Sequence, residues 1–153
     1  MKKNTAKILP SMKIAIVVSR FNDMITNRLL SGCQKELARM GLKDRMLKVV
    51  WVPGSLELPV VAMRLARQRS IDAVICLGSV IRGETIHFEL VANNSALGIT
   101  QVALTTGKPV IFGVITTETV DQAYKRSDEK GDHKGREAAQ NAVEMVNLLR
   151  SLK

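Results

Sequence analysis

Four short apolar runs constrain this chain more than any other feature. They are Lys13-Ile14-Ala15-Ile16-Val17-Val18, Leu47-Lys48-Val49-Val50-Trp51-Val52, Ala73-Val74-Ile75-Cys76-Leu77 and Val110-Ile111-Phe112-Gly113-Val114-Ile115. None shows the strict apolar–polar alternation of a strand with one wet face. Near-continuous runs of this kind suit parallel strands covered on both sides. The segments between them carry helical periodicity. Ile25, Leu29, Cys33, Leu37 and Met40 form one stripe, with Asp23 expected as its N-cap and Gly41 just beyond its end. A second helix is expected from Leu56 to Arg69, with Pro59 tolerated in its first turn. A third runs from near Ile86 to Thr106, followed by Gly107 and Pro109. A short helix over Val120–Arg126 and a last one over Lys134–Leu149 complete the set.

Strand and helix alternation with right-handed crossovers predicts a flavodoxin-like, three-layer α/β/α fold. Its sheet has four parallel strands in the order 2-1-3-4. Nothing resembles a linker or a repeat, so 13–153 is read as one domain. Residues 1–12 are read as an N-terminal tail or an intersubunit strand. No apolar run approaches the ~20 residues of a membrane span, and no signal-peptide apolar core follows the basic start, so a cytoplasmic location is expected. Cys33 and Cys76 both fall on apolar positions and read as core thiols. No cysteine or histidine pair has metal-ligand spacing, so no metal is expected.

The net charge is +9, from 23 Lys and Arg against 14 Asp and Glu, which points to an anionic partner. Aromatics make up only 3% of the chain, too few for a base-stacking platform, and the cations are dispersed, so nucleic acid is disfavoured.

Open parallel sheets bind ligands beyond the carboxyl ends of their strands. The loops there are Ser19–Asp23, Pro53–Glu57, Gly78–Phe88 and Thr116–Glu118. The third is read as a strand-to-helix loop, with two glycines, Arg82, Thr85 and His87, and suits an anion at a helix start. Taken singly, each residue has two readings. Phe21 is a staple over the sheet edge or a platform for a planar heterocycle. Glu57 meets a helix dipole or accepts from a polyol. Arg82 and Thr85 are ordinary loop polarity or phosphate ligands. His87 is structural or a proton shuttle, since an imidazole ordinarily titrates near ~6.5. Arg126 suits a helix end, whereas Lys134 stands at a helix start, where the dipole disfavours it.

Read together, five segments resemble the 6,7-dimethyl-8-ribityllumazine synthase family. They are Ser19-Arg20-Phe21-Asn22, Val52-Pro53-Gly54-Ser55-Leu56-Glu57-Leu58-Pro59, Gly78 through Phe88, Val110-Ile111-Phe112-Gly113 and His133-Lys134-Gly135. The resemblance implies a transferase of riboflavin biosynthesis that needs no cofactor. Its small-molecule substrates would be a ribitylaminouracil and a butanone phosphate. It implies that Phe21 stacks on the pyrimidine, and that Asn22, Ser55, Leu56 and Glu57 hold the ribityl chain and ring edge. Val80 and Ile81 would offer backbone contacts. Gly83, Glu84 and Thr85 would surround the phosphate, with Arg126 its main cation and His87 the proton carrier. Phe112 and Lys134 would come from an adjacent subunit. The implied assembly is a homo-oligomer, a pentamer or a sixty-subunit shell, with riboflavin synthase a possible associate. Leu56 stands where Phe is frequent, and Ile86 where Thr is frequent. Two rival readings are a non-catalytic flavin- or lumazine-binding shell protein and a nucleic-acid binder.

Overall fold

A computed structural model describes residues 7–152. The elements run β1 (Ile14–Ser19), α1 (Asp23–Arg39), β2 (Leu47–Val52), α2 (Leu58–Ala66), β3 (Ala73–Ile81), α3 (His87–Thr106), β4 (Val110–Thr117), α4 (Val120–Lys125) and α5 (Lys134–Ser151). All strand pairs are parallel, and the sheet order is β2-β1-β3-β4. This is the expected three-layer architecture. Period-two alternation splits each central strand between two cores. Ile14, Ile16, Val18, Ala73, Ile75 and Leu77 face α1 and α5. Ala15, Val17, Val74, Cys76 and Val80 face α2 and α3. Both thiols are buried, and burial pushes each up to about 12, so they are inert core groups.

Three local expectations are corrected. Asp23 is the first helical residue and not the cap. Asn22 precedes α1 in the left-handed conformation at φ 58°, which Asn tolerates better than most residues, and makes no side-chain cap bond. Its amide instead donates to the Ser79 carbonyl at 2.8 Å, tying the start of α1 to β3. The helix expected from Leu56 to Arg69 is shorter. Ser55–Glu57 form a single 3-10 turn and α2 spans Leu58–Ala66. Gly78–Ile81 do not begin a loop but continue β3, paired with Val114–Thr117 of β4. The glycine there answers to packing rather than to a turn: a Cβ on Gly78 would lie 2.7 Å from the Ser55 hydroxyl.

Residues 1–6 of the segment read as tail or intersubunit strand lie outside the described residues. Next to them, Met12 is fully buried, and the Lys7 carbonyl accepts from Asn147 on α5 at 3.0 Å. No helix among the described residues is long and apolar enough to cross a membrane.

One buried carboxylate links α1 to α5. Glu36 accepts two bonds from Arg39, at 2.7 and 2.9 Å, and one from Gln140 at 2.8 Å. Chiefly through the Arg39 bonds, its carboxyl is held down at about 2, from 4.5. A depressed folded value contributes stability above the unfolded pKa, which is lost as pH falls from about 4.5 to about 2. Between neutral pH and about pH 2, urea unfolding of the wild type is expected to lose about 3 kcal/mol more than that of Glu36→Gln. Equal losses would remove Glu36 as the source.

Candidate functional site

The carboxyl end of the sheet carries a cavity of about 430 Å³. Its floor is the extended part of β3, with Ser79, Val80 and Ile81. One wall is the turn Gly54-Ser55-Leu56-Glu57, and the other is the start of α3 with His87, Phe88 and Val91. Phe21 closes a side. Phe21 is 70% exposed, so it does not serve as a staple packed onto the sheet. Ser55 is buried, while Leu56 and Glu57 stand exposed at the rim. The Ser79 hydroxyl is buried and has no partner among the described residues. Apolar walls, an aromatic face and a few polar groups suit a planar, polar-edged ligand.

The segment from Arg82 to His87 is exposed throughout. The Thr85 hydroxyl accepts the His87 backbone N–H at 3.3 Å, which keeps its own proton for another acceptor. Gly83 has no neighbouring atom within 4 Å of where a Cβ would stand. His87 lines the cavity. Arg82, the cation that the loop itself suggests for phosphate, is committed elsewhere. It donates to Glu118 at 2.6 Å and to Glu89, and it lies over the Phe88 ring at 4.3 Å. Its bond to Glu89 holds that carboxyl below the usual range. Arg82 thus pins the end of β4 to the first turn of α3, and among the described residues no Lys or Arg lines the cavity.

The remaining predicted residues gather in a different place. Phe112, Arg126 and Lys134 line a second cleft of about 330 Å³ along β4, the open edge of the sheet, beside Glu137, Ala138 and Asn141 of α5. Phe112 is 42% exposed on that edge. Arg126 caps α4, whose start is fixed by a reciprocal pair between Thr119 and Gln122. Lys134 opens α5, and its backbone N–H donates to the Arg126 carbonyl at 2.9 Å. Glu137, one turn on, receives the Lys134 ammonium at 2.7 Å and answers the unfavourable dipole. His133 is buried, its Nδ1 accepting the Arg136 N–H at 3.2 Å as the N-cap of α5. Gly135 lies so close to α1 that a Cβ would meet the Leu29 carbonyl at 2.1 Å. Next to this cleft, sequence reasoning missed Asp132, which contacts both Arg126 and Lys134. An acid two residues before a lysine and six after an arginine was the available signal.

The predicted residues therefore divide into two sets. Phe21, Ser55, Leu56, Glu57, Val80, Ile81, Gly83, Thr85 and His87 share the first cavity. Phe112, Arg126 and Lys134 share the second cleft. Asn22 and Glu84 line neither, although Asn22 touches β3 beside the first. A family model described as 6,7-dimethyl-8-ribityllumazine synthase matches residues 11–150 of the 153.

Proposed function

Since the chain belongs to the 6,7-dimethyl-8-ribityllumazine synthase family, we propose that it condenses 5-amino-6-(D-ribitylamino)uracil with 3,4-dihydroxy-2-butanone 4-phosphate. The primary amine attacks the ketone, and loss of water gives a Schiff base. Phosphate is then eliminated, the chain isomerises, and ring closure with loss of a second water gives the lumazine. The substrates bring their own nucleophile and leaving group. The protein has to align them, hold the phosphate and move protons, and alignment alone can lower a barrier by roughly 7–11 kcal/mol.

In this reading Phe21 stacks on the pyrimidine, and the backbone of Val80 and Ile81 borders its edge. Ser55, Leu56 and Glu57 take the ring edge and the ribityl hydroxyls. Asn22 has its amide NH₂ engaged by Ser79, so it offers its carbonyl oxygen. Gly83, Glu84 and Thr85 surround the phosphate, and His87 carries protons. The observation that carries the reading is the division of groups. Among the described residues, the cavity lined by His87 and Phe21 has no cation, while Phe112, Arg126 and Lys134 stand together on the β4 edge of the sheet. A complete site needs both sets, so we place Arg126 with Phe112 and Lys134 on an adjacent subunit.

An exposed apolar stripe supports such an assembly. Leu90, Leu97 and Leu104 recur every seven residues along α3 and are 50%, 67% and 81% exposed. A stripe of this kind is the surface of an interface between copies. We read the assembly as a pentameric ring, either alone or closed into a sixty-subunit shell. Leu97→Lys is expected to shift the sedimentation coefficient toward single subunits. An unchanged coefficient would show that α3 faces solvent in the assembly.

The reaction is tested by mixing the purified protein with both substrates, without added metal, and following lumazine absorbance. Product is expected. Well-folded protein that forms none would refute the proposal.

A further inference from the structure

The two cations of the second cleft already share an anion. One Asp132 carboxylate oxygen accepts from the Arg126 guanidinium, and the other lies 3.5 Å from the Lys134 ammonium. The chain has 23 basic residues against 14 acidic ones, so a carboxylate between these two cations is not a statistical necessity. The backbone on either side of Asp132 is fixed. On one side, Gly131 N–H donates to Asp128. On the other, the His133 ring is wedged where a Cβ on Gly32 would stand, and Lys134 N–H is bonded to the Arg126 carbonyl. The carboxylate itself is about half exposed, as is the Arg126 side chain. A group that spans two cations with one oxygen each makes the contacts that two phosphate oxygens would make.

We propose that Asp132 is a resident surrogate for the substrate's phosphate: it keeps Arg126 and Lys134 converged when no phosphate is bound, and it is displaced when phosphate enters. This deepens the assignment of the phosphate to these cations and rests on it. The physics is competition at high local concentration. A tethered carboxylate meets its cations intramolecularly, and an incoming phosphate has to exceed that tethered contact. The phosphate can do so because it carries more charge and more acceptor oxygens. The same contact would help the eliminated phosphate to leave. The bonds to Arg126 and Lys134 also hold the Asp132 carboxyl below its ordinary range, so the surrogate stays charged under mildly acidic conditions. Glu137 faces Lys134 from α5 and partly neutralises it, which leaves Arg126 as the cation that Asp132 chiefly controls.

The test compares full-length, assembled wild type with Asp132→Asn and Asp132→Glu, using inorganic phosphate as the probe in calorimetric titrations. Asp132→Asn keeps the shape and removes the charge. It is expected to bind phosphate about 5- to 20-fold more tightly, with the gain shrinking as salt is raised. Asp132→Glu restores the carboxylate and should bring the affinity back toward wild type. In turnover, Asp132→Asn should lower KM for the butanone phosphate and leave KM for the ribitylaminouracil unchanged. A purely structural residue would move neither selectively. Phosphate affinity that is unchanged, weaker or undetectable in Asp132→Asn would overturn the proposal. The lumazine assay separates the two claims. Product without a phosphate effect leaves the enzyme reading intact and removes Asp132. Tighter phosphate binding without product does the reverse.

Discussion

Arg126→Ala is expected to lower kcat/KM for the phosphorylated substrate about 10²- to 10³-fold, the usual cost of removing one charge-stabilising donor from a site. The affinity for ribitylaminouracil should stay near wild type, because in the proposed site Arg126 meets the phosphate and not the pyrimidine or the ribityl chain, which fall to the residues of the first cavity. Folding should survive. The side chain is about half exposed, and α4 keeps its Thr119–Gln122 capping pair and its backbone bonds to Arg126. Arg126→Lys is expected to recover only part of the loss, since an ammonium cannot reproduce the fork of a guanidinium. Steady-state kinetics with each substrate varied in turn checks this. A loss that fell on the uracil substrate instead would move Arg126 out of the phosphate role.

His87→Ala should reduce kcat by about 10²- to 10⁴-fold, the range of general acid–base help, with both KM values little changed. The imidazole is a good candidate for clean removal. It is exposed at the first residue of α3, and among the described residues its ring makes no hydrogen bond, while its backbone N–H donates to Thr85. Thermal melting should therefore match wild type, and added imidazole should restore part of the rate. A change confined to KM would make His87 a binding group and not a proton carrier.

The layers of this fold are legible in the sequence because burial on both faces leaves continuous apolar runs, and the helices between them carry a clear period. The ends of elements are less so. Gly78-Ser79-Val80-Ile81 looks like a loop when glycine is read as a turn signal, yet it pairs residue for residue with Val114–Thr117. Gly78 is small because Ser55 crosses it, a fact of tertiary contact that no local pattern carries. Asn22, not the expected Asp23, stands before α1 as its N-cap, and it does so in the left-handed conformation.

The candidate residues could be named from the sequence, but their placement relative to one another could not. Arg82 looks free in the sequence because its partner Glu118 is 36 residues away, across the β4 edge. Once the chain folds, Arg82 is paired with Glu118 and Glu89 and stacked on Phe88. Phe112 sits in a near-continuous apolar run like those of the central strands, so only the sheet order shows that its strand is an edge. The grouping of Arg126 with Phe112 and Lys134, apart from His87, follows from that order together with the return of α5 along β4.

The central claim is that each site joins the first cavity of one subunit to the second cleft of its neighbour. Mixed assemblies of His87→Ala and Arg126→Ala subunits test it most directly. Each variant lacks a different half, so either alone should stay near background. In a ring of heterologous interfaces formed at random from equal amounts, about a quarter of the interfaces pair an intact cavity with an intact cleft. Unfolding the two variants together, reassembling them and assaying lumazine formation should recover up to that fraction of wild-type activity. A mixture no more active than the average of its two parents would contradict a shared site and return Arg126 and His87 to separate roles.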